Sequence, residues 1–170
     1  MRVGMLIIFI FLFNSVHAED KGLFTTRTMT IETASKAAWQ AMKVCRDEGY
    51  SVAVAVVDKS GILQIFYRDR FAGPHTVQTA ISKAWTAVSF HVNTNELADM
   101  LHRGEIPRQV QHNPGALLVG GGVNIYSQGE LVGAIGVSGA PPGKSERDSI
   151  DGACAVKGIK SIEETLEFSD

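Results

Sequence analysis

The sequence is poor in most signatures that announce a chemistry. It has two cysteines and neither a Cys-x-x-Cys pair nor a His-Glu-x-x-His stretch, so the common zinc and dithiol spacings are excluded. There is no Walker loop. Gly120-Gly121-Gly122 runs into Val-Asn-Ile-Tyr, which reads as a strand, whereas a phosphate fingerprint opens a helix. No Gly-x-Ser-x-Gly nucleophile elbow is present; Gly136-Val137-Ser138-Gly139 lacks the spacing, and Ser138 reads as the polar end of a strand. An excess of one charge is also missing. The net charge is −2 and the isoelectric point about 6.2, which gives no electrostatic case for nucleic acid. Repeats, low-complexity runs and an interdomain linker are absent.

Long hydrophobic runs are lacking after the first residues. The run over 5–13, MLIIFIFLF, falls well short of the roughly 20 residues of a spanning helix. Arg2 precedes it and Val16-His17-Ala18 follows, the pattern of a signal peptide cut after Ala18. The expected mature protein is periplasmic or secreted and has no stable membrane span. With no cysteine at the cut, lipidation is not expected. Residues 19–28 read as a mobile lead-in, and 29–170 as one domain with a short C-terminal extension.

What is present is an alternation of helical and strand-like segments. Ile31, Ala34, Ala38 and Cys45 recur at helical spacing behind a Thr28 or Thr30 cap. Residues 51–57, SVAVAVV, and 62–68, ILQIFYR, flank the turn Asp58-Lys59-Ser60-Gly61, which makes an antiparallel pair. Helices are expected over 74–90 and 95–102. Irregular chain with Pro107 and Pro114 follows, then a short strand over 117–119 and a second hairpin ending at Gly139. A helix over 145–157 stops at Gly158. The order predicts an α+β fold, with a central antiparallel sheet of about five strands flanked by helices. Cys45 and Cys154 lie on apolar helix faces, where free cysteine behaves as a small hydrophobe. They are therefore expected to be free buried thiols; export would permit a bridge between them.

The stretch 129–158 organises the chain. Its strand is interrupted by Gly133 and Gly136, which suggests close approach by another backbone or a ligand. G-E-L-V-G-A-I-G-V-S-G-A-P, followed by D-x-x-C-A-x-x-G at 151–158, resembles the end of the GlcG/HbpS family. This haem-degrading domain family includes the C-terminal domain of PduO-type proteins. V-A-V-V-D-K-S-G at 54–61, A-G-P-H-T at 72–76 and K-A-W-T-A at 83–87 occur in the family's order. The resemblance spans 29–159. It implies a profilin-like or PAS-like sheet, assembly into homo-oligomers, and binding of haem or a similar planar molecule. Haem-degrading activity is implied only by this resemblance, since no catalytic motif is visible. One departure is Asn124, where family members commonly carry proline.

The candidate site residues follow from the same pieces. His75 lies at a helix start, where added positive charge is unfavourable, a setting that leaves an imidazole lone pair available for iron. The bland alternative is an exposed first turn. His112, ahead of Asn113-Pro114, is the second metal candidate. His91 and His102 read as helix C-terminal caps. Gly73, Gly121 and Gly122 permit backbone approach to a flat ligand. Arg70, Thr76 and helix-start amides suit its carboxylates. Lys144 and Arg147 are further carboxylate binders, and Trp85 is either a stacking surface or core. Lys83 needs a partner if buried, Asp58 or Asp151. Glu146, Asp148 and Asp151 read as dipole-compensating acids of the last helix.

Overall fold

The computed structural model describes residues 22–143 and 149–168. Residues 1–18, expected to be a signal segment, lie outside them, as do Lys144, Glu146, Arg147 and Asp148. The order is α1 (Ile31–Asp47), β1 (Ala53–Asp58), β2 (Leu63–Arg68), α2 (Thr76–Phe90) and α3 (Thr94–His102). A 3-10 turn (Arg108–His112), β3 (Gly122–Ser127), β4 (Glu130–Ser138), α4 (Ile150–Lys160) and α5 (Glu163–Glu167) complete it. Thr30 caps α1, accepting from Thr33 N.

Among the described residues the sheet has four strands, ordered β2-β1-β4-β3 and antiparallel throughout, rather than about five. The missing strand is 117–119. Leu117 N donates to Thr86 Oγ1 of α2, at 2.8 Å. The segment therefore docks on a helix and never enters the ladder.

The period-two alternation of the strands divides the core. Val54 and Val56 pair with Val137 and Ile135. All four are buried beneath α1 and α4. The alternate residues Ala53, Ala55, Val57 and Ala134 face Ala80, Ala84, Ala87 and Val88 of α2. Helices thus cover both faces of the sheet. On the α2 face the layers nearly touch: a Cβ at Gly136 would stand 2.1 Å from Ala80 O. Gly136 makes room for the α2 backbone there, whereas Gly133 lies against Val57 O of β1 and Met29.

Cys45 and Cys154 are bonded to each other, not free, with Cα atoms 5.7 Å apart. The helix stripes explain why. Alanines at 34, 37, 38 and 41 of α1 are fully buried, and Gly158 of α4 lies against Ala37 O and Ala41. These small residues bring the two helices within the Cα separation that a bridge requires. A stripe read on one helix does not reveal what the other helix places opposite it.

Candidate functional site

A cleft of about 570 Å³ opens on the α2 side of the sheet, at the end where β4 finishes. His75, Thr79 and Lys83 come from α2 and its start, spaced by one helical turn so that they share a face. Leu118, Val119 and Gly120 form a second wall. Ser138 and the chain through Pro141, Pro142 and Gly143 form a third, and Ser149 with Asp151 close the base at the start of α4. Most of this lining is apolar.

The base is polar and closely built. Lys83 is 2 % exposed and Asp151 7 %. Lys83 Nζ donates to Asp151 Oδ2 at 2.8 Å and to Val137 O at 3.0 Å. Asp151 Oδ1 accepts from Ala140 N at 3.0 Å. One carboxylate thus ties α4 to α2 and to the chain leaving β4. Burying two charges is tolerable here because each is paired and hydrogen-bonded. Asp151 was expected as a dipole-compensating acid, and it does stand in the first turn of α4. Its main partner, however, is the lysine. Asp58, the other partner considered for Lys83, accepts from Ser60 N, Ile62 N and Gln64 within its own hairpin. Gly121 has φ 128°, and a Cβ there would stand 2.9 Å from Lys83 Nζ. The glycine therefore shapes the space for the ammonium group.

His75 stands at the N-cap of α2. Its ring packs on Gly73, where a Cβ would lie 2.7 Å from the imidazole. The imidazole makes no hydrogen bond among the described residues. Thr76 does not line the cleft; it is buried and its hydroxyl donates to Gly73 O at 2.7 Å, closing the turn. The loop before it is anchored by Asp69, which accepts from Phe71 N and from Arg46 at 2.8 Å. The Phe71 amide, with help from Arg46 and Arg70 and against the cost of burial, holds the Asp69 carboxyl below its ordinary value.

The remaining candidates are scattered. Arg70 is exposed, 6.0 Å above the exposed Phe71 ring, and does not line the cleft. Trp85 packs between Gly61 and Gly115, also away from it. Gly122 lies behind the cleft, where a Cβ would collide with Lys83 O. His112 is exposed on the 3-10 turn and lines no part of the cleft. His91 ends α2 in the left-handed region, φ 56°. His102 borders a separate shallow depression with Arg108 and Gln111. Among the described residues no group of three or more His, Cys, Asp or Glu could hold a metal ion, and no helix is long and apolar enough to cross a membrane. Ser138, Ser149 and the Pro141-Pro142 wall were not anticipated as site residues. The signal for Ser138 was its parity on β4, which puts it on the same face as Ala134 and Gly136.

Comparison with known proteins gives this architecture its relatives. The family described as "Haem degrading protein HbpS-like" matches residues 29–160. The PduO corrinoid adenosyltransferase of Salmonella typhimurium is 32% identical over 110 residues, 64% of this chain but 32% of that protein. The chain thus spans about a third of the length of that relative. An uncharacterised 15.0 kDa protein of Citrobacter freundii is 27% identical over 72% of this chain and 86% of its own. Among solved structures, a double mutant of HbpS from Streptomyces reticuli superposes with TM-score 0.74 at 35% identity, covering 86% of this chain and 94% of that one. A structure described as a PduOC:heme complex gives 0.70 at 25% identity, covering 80% of this chain and 96% of that one. The match over most of the chain, together with the shared antiparallel α+β fold, establishes that this protein belongs to the HbpS-like haem-degrading protein family.

Proposed function

We propose that this protein is an exported haem-binding protein and that the cleft beside α2 is where the haem sits. The observation that carries the reading is the imidazole of His75 at the rim of a largely apolar cleft, with no hydrogen-bond partner among the described residues. Those residues fit a haem. Apolar walls at Leu118, Val119, Pro141 and Pro142 suit a macrocycle, and a free imidazole nitrogen suits its iron. When bound, haem supplies redox and ligand-binding chemistry at its iron. The chain's own part is to exclude water with the apolar walls, to offer the His75 ring held against Gly73, and to supply donors at the base. Membership of the family and the haem-bound relative support the same reading. Scavenging is the role that best suits an exported carrier, and degradation rests on the family alone.

Titration of the mature protein with haemin tests the reading. The expected result is a Soret band that saturates at a fixed stoichiometry. A gradual rise in absorbance without saturation would reject it. Two finer parts have their own tests. Export predicts that the mature chain begins at Glu19, and N-terminal sequencing that returns Met1 would overturn it. Assembly into a homo-oligomer predicts a mass by light scattering that is a multiple of the monomer's at micromolar concentration.

A further inference from the structure

We infer that the base of the cleft is a carboxylate subsite, formed by Ser138, Lys83 and Ser149. The first observation is Ser138. It is 4 % exposed, lines the cleft, and its hydroxyl has no hydrogen-bond partner among the described residues. The residue is buried but its hydroxyl opens onto the cleft, since among the described residues the one buried side-chain polar atom without a partner is Asn124 Oδ1. Ser138 pairs with Ala53 across the sheet, where an alanine side chain would complete the small-residue face at no polar cost. A hydroxyl held there in reserve suits a ligand that supplies the missing partner.

The second observation is the hydrogen-bond account of the neighbouring groups. Lys83 Nζ carries three N–H donors, and Asp151 and Val137 take two. Ser149 Oγ accepts from Gly152 N at 3.0 Å, so its own O–H remains to donate. Both oxygens of Asp151 are engaged, by Lys83 and by Ala140 N. The base therefore holds donors in excess: two hydroxyls, one ammonium N–H and the first turn of α4, whose N-terminus favours negative charge. Among the described residues at the base the only charged groups are Lys83 and Asp151, a pair that is neutral overall and does not balance a dianionic phosphate. A single carboxylate, planar with two accepting oxygens, matches both the donors and the charge. The apolar walls require the remainder of the ligand to be apolar.

Such a carboxylate belongs either to a small free organic acid or to the edge of a porphyrin. The subsite does not require iron, so failure of haemin to bind would leave the free-acid arm standing. The test uses the full mature chain and its Ser138→Ala variant, with four probes: propanoate, propanamide, iron-free protoporphyrin IX and its dimethyl ester. The subsite predicts that an acid binds and its uncharged counterpart binds much more weakly. It also predicts that Ser138→Ala weakens the acid by roughly tenfold or more, the loss of one hydrogen bond to a charged group. The thermal midpoint of the apo-variant should be unchanged or raised, because the hydroxyl has no partner to lose. Saturable propanoate binding that fails in the variant identifies a free acid. Protoporphyrin IX binding that is lost on esterification and in the variant, without propanoate binding, identifies the porphyrin edge. If neither acid responds to Ser138→Ala, or if the variant's midpoint falls by several degrees, the inference is wrong.

Discussion

The two faces of the sheet solve opposite problems. Under α1 and α4, valines and isoleucines of β1 and β4 meet an alanine-lined helix pair bridged by Cys45–Cys154. That face is apolar, closed and covalently tied. Under α2 the strands present mainly alanine and glycine; that helix carries the buried ammonium group of Lys83, paired with Asp151 of α4, and β4 ends there on Ser138. Small residues draw α2 onto the sheet, and its next turns then reach past the end of β4 to frame a cleft. Stability is concentrated on the first face, and the groups able to meet a ligand stand at the end of the second.

The sharpest way to break this contrast is to remove the bridge. Cys45→Ala with Cys154→Ala opens a loop of sequence separation 109. Loop-closure entropy then predicts a loss of about 4–5 kcal/mol, roughly 10–20 °C in midpoint. Ligand affinity measured well below that midpoint should be nearly unchanged. A large fall in affinity of the still-folded variant would show that the first face also shapes the cleft.

On the second face, Lys83→Met strands a buried carboxylate and should cost about 3–5 kcal/mol, read by denaturant unfolding. Adding Asp151→Leu should restore most of that stability, since an apolar pair can replace a buried ion pair. Binding of a carboxylate ligand should not return. Recovery of both would make the pair purely structural.

The smallest effect lies at the loop anchor. The folded Asp69 carboxyl is held below its ordinary value of 3.8, chiefly by the Phe71 amide. Its contribution to stability is therefore complete above the unfolded value and lost as pH falls through the folded one. Asp69→Asn should flatten the acid side of the stability profile below about pH 4, with a change of at most about 1 kcal/mol near neutrality for the half-exposed Arg46 pair. An unchanged acid limb would show that Asp69 does not anchor the loop.

How much of this was legible follows from what each signal measures. Periodicity and caps gave the helices and both hairpins, because those are local. The strand expected over 117–119 failed because Thr86 captured Leu117, a contact between segments far apart in sequence. The bridge failed for the same reason: Cys45 and Cys154 each read correctly as buried, and only the α1–α4 packing makes them partners. At the site, A-G-P-H-T pointed to the start of α2, and Lys83 was seen to need an acid. Thr76 and Gly122 were read as facing a ligand, yet the fold spends them on a turn and on helix contact. Trp85 carried no local mark separating a stacking surface from packing, and the structure uses it for packing between two glycines. Ser138 was read only as the polar end of a strand; its parity on β4 marks the α2 face, but the cleft at that end is formed by segments far apart in sequence.

The central claim is that the α2 cleft binds haem through His75. Haemin titration of His75→Ala beside the parent protein tests it most directly. His75 packs on a surface turn and makes no side-chain hydrogen bond among the described residues, so apo-protein unfolding should be nearly unchanged. The account predicts a shifted Soret maximum and affinity weakened on the order of tenfold or more. An unchanged spectrum and affinity, in a variant that unfolds at the parent's temperature, would contradict it and move the search for the ligand to the exposed His112.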